Sequence, residues 1–233
     1  MNLYYHTILP LVRNGHKVKI VAINADDSER KLLNQILEDD IGEEKISYVR
    51  AINATDFKRC DQNIQILDMI DTSKKLIRAF FGRRAVNIII DYNKDVALDK
   101  IIHPMYIGLF PDLKDVREIL NDEKIMDKYT QDTPLHVTLE YLGGKTKTET
   151  EYPYGKTAEI EVFGYSENKA GTCLLVKIAD HLNIENHSDS PKHITLGTNK
   201  EFTPADVGKE ITDKNSRRFE KSHFVKAVLA AMF

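Results

Sequence analysis

The 233-residue chain holds two cysteines, Cys60 and Cys173. Two are too few for a disulfide framework and suit a reducing compartment. No stretch approaches the ~20 apolar residues a membrane span needs. The apolar run from Ile8 to Val12 is short and broken by Pro10, unlike a secretory signal. An excess of positive charge is also missing, since 33 Lys and Arg stand against 36 Asp and Glu for a net charge of −3. That argues against a broad basic nucleic-acid surface, but a small nucleotide or a locally held RNA end remains compatible. There is no low-complexity segment and no G-x-x-x-x-G-K-[ST] phosphate loop. These absences lead us to expect a soluble protein with no membrane partner, cytoplasmic by default, with the nucleus also open.

What the chain does have is one short pattern written twice. His136-Val137-Thr138-Leu139 and His193-Ile194-Thr195-Leu196 both read histidine, apolar, threonine, apolar, each within a run of β-formers. Residues two apart in a strand share a face, so each copy presents an imidazole beside a hydroxyl. With eight histidines in the chain, H-x-[ST]-apolar is expected about 0.3 times by chance, and two or more copies about once in twenty. Strand threonines often reflect β-branching alone; two copies in neighbouring strands have a sharper chemical meaning. Two imidazoles titrating near pH 6.5 can take a proton from water and give one to a leaving oxygen. Two hydroxyls can donate to the oxygens of a phosphoryl transition state. No carboxylate or cysteine accompanies either histidine at ligand spacing, so neither a metal nor another cofactor is expected.

Around these motifs the chain changes texture near residue 100. Before it, Val18–Asn24, Ile46–Ile52 and Val86–Asp91 read as buried strands. They alternate with an amphipathic helix over SERKLLNQILEDD and an interrupted helical stretch from about Asp56 to Phe81, a pattern that predicts a parallel sheet. After it come a strand at Met105–Phe110, a helix at Asp112–Leu120, and closely spaced strands in LHVTLEYL, TAEIEVFGY, TCLLVKIA, HITLGT and HFVKAVLAAMF. This half reads as α+β with a mainly antiparallel sheet. The expected domains are therefore 1–100 and 101–233. Gly144-Lys145-Thr146 follows a strand in the manner of a phosphate loop, but the first glycine of that spacing falls on Leu139. It reads as a turn. The basic residues Arg50, Lys58 and Arg59, and Lys74, Lys75, Arg78, Arg83 and Arg84, read as solvated surface, the second group with the option of an RNA backbone.

The two motifs resemble those of the two-histidine (2H) phosphoesterases. Within that group the chain is similar to the 2′,3′-cyclic-nucleotide 3′-phosphodiesterases and to the cyclic phosphodiesterase domain of fungal-type tRNA ligases. PMYIGLF resembles the family's opening strand, PLHVTLEYLGGK and PKHITLGTNKEFTPADVG its two motif segments, and FVKAVLAAMF its last strand. Together they cover roughly 103–233. The resemblance implies a 2H-phosphoesterase-like α+β domain opening cyclic phosphates, on a nucleotide or an RNA 3′ end, to a 2′-phosphate and a 3′-hydroxyl, as in RNA repair or tRNA splicing. It assigns catalysis to His136, Thr138, His193 and Thr195, with His193 as base and His136 as acid. Substrate contacts fall to Tyr106 near the phosphate, Tyr141 against the base, Lys192 and Pro204. Where the nucleotide enzymes tend to carry an arginine before the second histidine, this chain has Pro191 and Lys192, and lysine lacks the bidentate geometry. The region 1–100 resembles the later part of a polynucleotide-kinase-like P-loop domain without its phosphate loop. No kinase activity is therefore expected, and a partner chain supplying kinase or ligase function is compatible. A 2′,5′-phosphodiesterase on the same scaffold and a non-catalytic nucleotide- or RNA-binding module are the alternatives.

Overall fold

The computed structural model describes residues 8–23, 27–42, 45–49, 64–69, 85–91, 105–126, 134–143, 152, 155–178 and 191–232. The boundary expected near residue 100, the residues from Lys145 of the false phosphate loop and both basic groups lie outside them.

The first part is built on apolar runs that satisfy their backbones by parallel pairing. β1 (Val18–Ile23), β2 (Ile46–Val49), β3 (Ile64–Met69) and β4 (Val86–Asp91) form a sheet in the order β2–β3–β1–β4. Every pairing is parallel, and Val18 lies opposite both Ile64 and Val86. Strand β3 corrects the helix expected from about Asp56 to Phe81, at least over 64–69. Ile64, Ile66 and Leu67 are buried between two neighbouring strands. In a central parallel strand both faces are covered, so its sequence reads as a near-continuous apolar run that periodicity alone cannot tell from a buried helix. Among the described residues, helices α1 (Leu9–Arg13) and α2 (Asp27–Ile41) accompany this sheet. No helix among the described residues is long and apolar enough to cross a membrane.

The second part is a closed ring of six strands, antiparallel throughout. β5 (Tyr106–Pro111), β6 (Val137–Tyr141), β7 (Thr157–Asn168), β8 (Gly171–Ile178), β9 (His193–Thr198) and β10 (Ser216–Met232) follow one another as β10–β5–β6–β9–β8–β7 and close on β10. Closure leaves no free sheet edge. One face of each strand fills the ring: Ile107, Leu109, Val137, Ile160, Leu174, Ile194 and Leu229 share one core. Helix α3 (Leu113–Asp122), capped by the Asp112 carboxylate on the Lys114 N–H at 2.8 Å, adds Val116 and Ile119 to it. The other face of β5 and β10 meets the parallel sheet: Phe110, Val228 and Ala230 pack with Ile8, Leu11, Ile20 and Ile64. His16 seals this junction, donating Nε2–H to the Pro111 carbonyl at 2.7 Å and meeting Phe110 edge-on at 5.6 Å.

Candidate active site

The two motifs become neighbours through one backbone register. β6 and β9 pair antiparallel with Val137 opposite Ile194, and both side chains are buried in the ring core. Alternation therefore puts His136, Thr138, His193 and Thr195 together on the outer face. Stepping one residue either way sets Thr138 across from His193 and His136 across from Thr195. Each strand then bulges at the same point of its motif. On β6 the partners jump from Gly108↔Thr138 to Ile107↔Glu140, leaving out Leu139. On β9 they jump from Cys173↔Thr195 to Thr172↔Gly197, leaving out Leu196. Both leucines are buried in the ring core, so the site has an approximate two-fold arrangement.

Each imidazole is oriented by the carbonyl two residues before it. Nδ1 of His136 lies 2.7 Å from the Pro134 oxygen, and Nδ1 of His193 lies 2.9 Å from the Pro191 oxygen. A carbonyl only accepts, so Nδ1 carries a proton in both rings, which leaves the Nε2 lone pair on His136; the Pro204 carbonyl is a second acceptor beside the His193 ring. Burial lowers the pKa of His136 to about 4; the Pro134 carbonyl opposes the shift, and His193 and His16 add to it. Burial also lowers His193, against the carbonyls of Pro191 and Pro204, with Lys192 adding to the depression. Both rings are thus neutral at pH 7 in the empty site, and a nearby anion raises both affinities for a proton.

Glycines and aromatics hold the rings in place. Tyr106 stacks on His136 with centroids 4.3 Å apart and planes 15° from parallel. Its phenol is pushed well above the ordinary range by burial, so it stays a neutral hydroxyl. Phe110 lies 5.8 Å from His136 on the side of the parallel sheet. A β-carbon on Gly108 would stand 2.9 Å from the Val137 oxygen and 3.4 Å from Cδ2 of His136. On the other half of the site, α4 (Pro204–Lys209) lays Gly208 against His193, where a β-carbon would stand 3.1 Å from both ring nitrogens. The helix start is fixed by Asp206, which accepts the Thr203 N–H at 3.0 Å and its hydroxyl at 2.7 Å. These bonds and Lys209 hold that carboxyl at about 2.

The expected substrate-binding residues are placed as follows. Tyr106 and Tyr141 are register partners. The Leu139 bulge turns Tyr141 onto the face of Tyr106, where it is 70% exposed. Pro204 opens α4 rather than a loop, and its carbonyl faces His193. Lys192 donates Nζ to the carbonyl oxygens of Thr138 at 3.0 Å and Leu139 at 3.4 Å. Its ammonium therefore braces β9 against β6. Gly143, in the false phosphate loop, has φ +65° and donates its N–H to the Met105 oxygen, as a turn does.

Sequence reasoning gave no role to Pro134, Pro191, Gly108, Phe110, His16 or Gly208. The prolines were legible: the repeat extends to P-x-H-apolar-T-L in both copies. Gly108, Phe110 and His16 carry no local signal, because their role arises only in tertiary contact. Among the described residues, no group of three His, Cys, Asp or Glu is arranged to hold a metal ion.

No protein-family model and no curated protein matches the chain. Among solved structures, one titled "Crystal Structure of Fungal RNA Kinase" is similar at a TM-score of 0.40 and 10% identity, over 93% of this chain and 99% of that one.

Proposed function

We propose that the protein is a two-histidine phosphodiesterase that opens 2′,3′-cyclic phosphates, on nucleotides or RNA 3′ ends, to a 2′-phosphate and a 3′-hydroxyl. One observation supports this reading above the rest. Two imidazoles, both with Nδ1–H held by proline carbonyls, share one face with two threonines through the Val137–Ile194 register. The chemistry follows from that arrangement. Water attacks phosphorus in line with the departing 3′ oxygen. Nε2 of His193 takes the water's proton, burial above all and the Lys192 charge in addition keeping that ring unprotonated beforehand. His136 gains a proton when the anionic substrate enters and delivers it from Nε2 to the leaving oxygen. Burial disfavours that proton in the empty site, so the acid is charged only with substrate present. Thr138 and Thr195 donate to the nonbridging oxygens, where negative charge grows. Each acid–base role is worth roughly 10²–10⁴ in rate.

The same face supports a 2′,5′-phosphodiester equally well in chemical terms. A substrate panel separates them: hydrolysis of 2′,3′-cyclic AMP to 2′-AMP with a 2′,5′-linked dinucleotide left intact is expected, and the converse overturns the assignment. Binding of both without turnover selects a non-catalytic module.

A further inference from the structure

The outer face of the ring continues beyond the histidines to a feature that the proposed chemistry leaves unused. In the β8–β9 register Leu175 lies opposite His193. In the β7–β8 register Leu175 lies opposite Gly164, with Phe163 left out as a bulge, and Gly164 lies opposite Arg218 of β10. Paired residues share a face, so His193, Leu175 and Arg218 project on one side, and Lys177, two residues after Leu175, joins them. Phe163 packs against the Cys173, Leu175 and Val207 cluster on that same side.

Over the Phe163 ring stand two cations, Lys177 Nζ at 5.3 Å and the Arg218 guanidinium carbon at 5.6 Å from its centroid. Both side chains are exposed, and among the described residues neither has an ion-pair partner. The acids nearby are otherwise engaged or solvated. Glu161, opposite Lys177 in the register, accepts the Ser222 hydroxyl at 2.6 Å, and Glu167 accepts that of Tyr165 at 2.6 Å. Glu220 is exposed on the same stretch of β10. Two exposed positive groups are thus ordered by one aromatic ring, with the Glu161 carboxylate across from Lys177 already accepting the Ser222 hydroxyl, and such a pair presents charge-assisted donors suited to a phosphate. Lys177 stands on β8 beside β9, Phe163 on β7 two strand spacings from β9, about 10 Å, and Arg218 on β10 beyond it. A cyclic mononucleotide held at the histidines has no second phosphate to place there.

We propose that Lys177 and Arg218, ordered by Phe163, bind an internal backbone phosphate of a single-stranded RNA whose 3′-terminal phosphate lies at His136 and His193. This rests on the proposed phosphodiesterase reading, from which the choice of RNA follows: only ribose carries a 2′,3′-cyclic phosphate.

The test pairs two measurements on the full chain. One is fluorescence-anisotropy binding of a 5′-labelled oligoribonucleotide of roughly ten residues ending in a 2′-phosphate. The other is hydrolysis of 2′,3′-cyclic AMP. The double variant Lys177→Gln, Arg218→Gln creates no like-charge pair with Glu161 and touches no core residue. It is expected to weaken RNA binding about tenfold and to lower the slope of log K against log salt by about 0.7, the value for one phosphate. Its kcat/KM on the mononucleotide should stay within about twofold of the native value. Phe163→Leu, which keeps the apolar contact but removes the ring face, is expected to give a smaller loss of the same kind. Unchanged RNA affinity in the double variant overturns the proposal, as does an equal loss in both measurements. If the native protein hydrolyses no cyclic nucleotide, the phosphodiesterase reading fails by itself, and a selective loss of RNA affinity still supports the phosphate contact.

Discussion

Gly208 stands against His193 where a side chain does not fit. A β-carbon there would press on the Cε1 edge of the ring, 3.1 Å from both nitrogens. The glycine sits in α4 and the histidine opens β9, so the helix fixes how far the imidazole can lean away from the threonines. Gly208→Ala is expected to displace the ring and lower kcat on 2′,3′-cyclic AMP about a hundredfold, the scale for a misplacement of about 1 Å. Overpacking should cost about 1–3 kcal/mol in urea unfolding, leaving the protein folded. Native turnover in the folded variant contradicts this packing role.

Anion binding should be coupled to proton uptake. Both histidines are depressed by burial in the empty site, His136 to about 4, and a bound anion reverses the shift. Sulfate keeps its own charge across the range and isolates this effect. Its affinity is expected to rise as pH falls from 8 toward 5, approaching about tenfold per unit for each proton taken up. The gain levels off once the free rings are themselves protonated. Calorimetry in two buffers of different ionisation heat reads the proton count, and His136→Gln should reduce it. A pH-independent sulfate affinity contradicts the account.

His16 makes the junction between the two parts sensitive to acid. An unfolded histidine titrates near 6.5, whereas burial lowers His16 to about 4. Between those values the unfolded chain binds more protons, so stability is full above pH 6.5 and falls as pH drops toward 4. At ~1.4 kcal/mol per unit, the loss is about 3 kcal/mol for this residue. His136 contributes with the same sign. His16→Gln, which keeps a donor for the Pro111 carbonyl but does not titrate, is expected to reduce the pH dependence measured by urea unfolding, leaving the parts due to His136 and His193. An unaltered dependence contradicts the assignment.

Lys192 supports the strand pair. Its ammonium donates to the Thr138 and Leu139 carbonyls, and a charge-assisted bond of this kind is worth about 1.5–3 kcal/mol before its partial exposure is discounted. Lys192→Met should lower stability by about 1–2 kcal/mol and reduce kcat through the looser β6–β9 pairing, while KM changes less than threefold. A large rise in KM with unchanged stability points instead to direct substrate contact.

The readable parts of this chain are those whose signal is local. Alternation in LHVTLEYL and HITLGT located β6 and β9, and VKIVAIN and VNIIID located two parallel strands. The interior strand Ile64–Met69 was hidden because burial on both faces erases alternation. Ring closure was hidden too, since it depends on β10 starting at Ser216, in a polar stretch whose pairing shifts between Arg218 and His223. The four motif residues were legible as a duplicated spacing, and the geometry added the neighbouring prolines. The glycines under the rings and the His16–Phe110–His136 series arise from contacts between distant segments, which no window of sequence contains.

The central claim is that His136 and His193 act as a pair on one cyclic phosphate. The most direct test follows 2′,3′-cyclic AMP by phosphorus NMR with the native protein and with the His136→Ala, His193→Ala variant. Conversion to 2′-AMP by the native protein alone is the expected result. Equal conversion by the folded double variant, or none by the native protein, contradicts it.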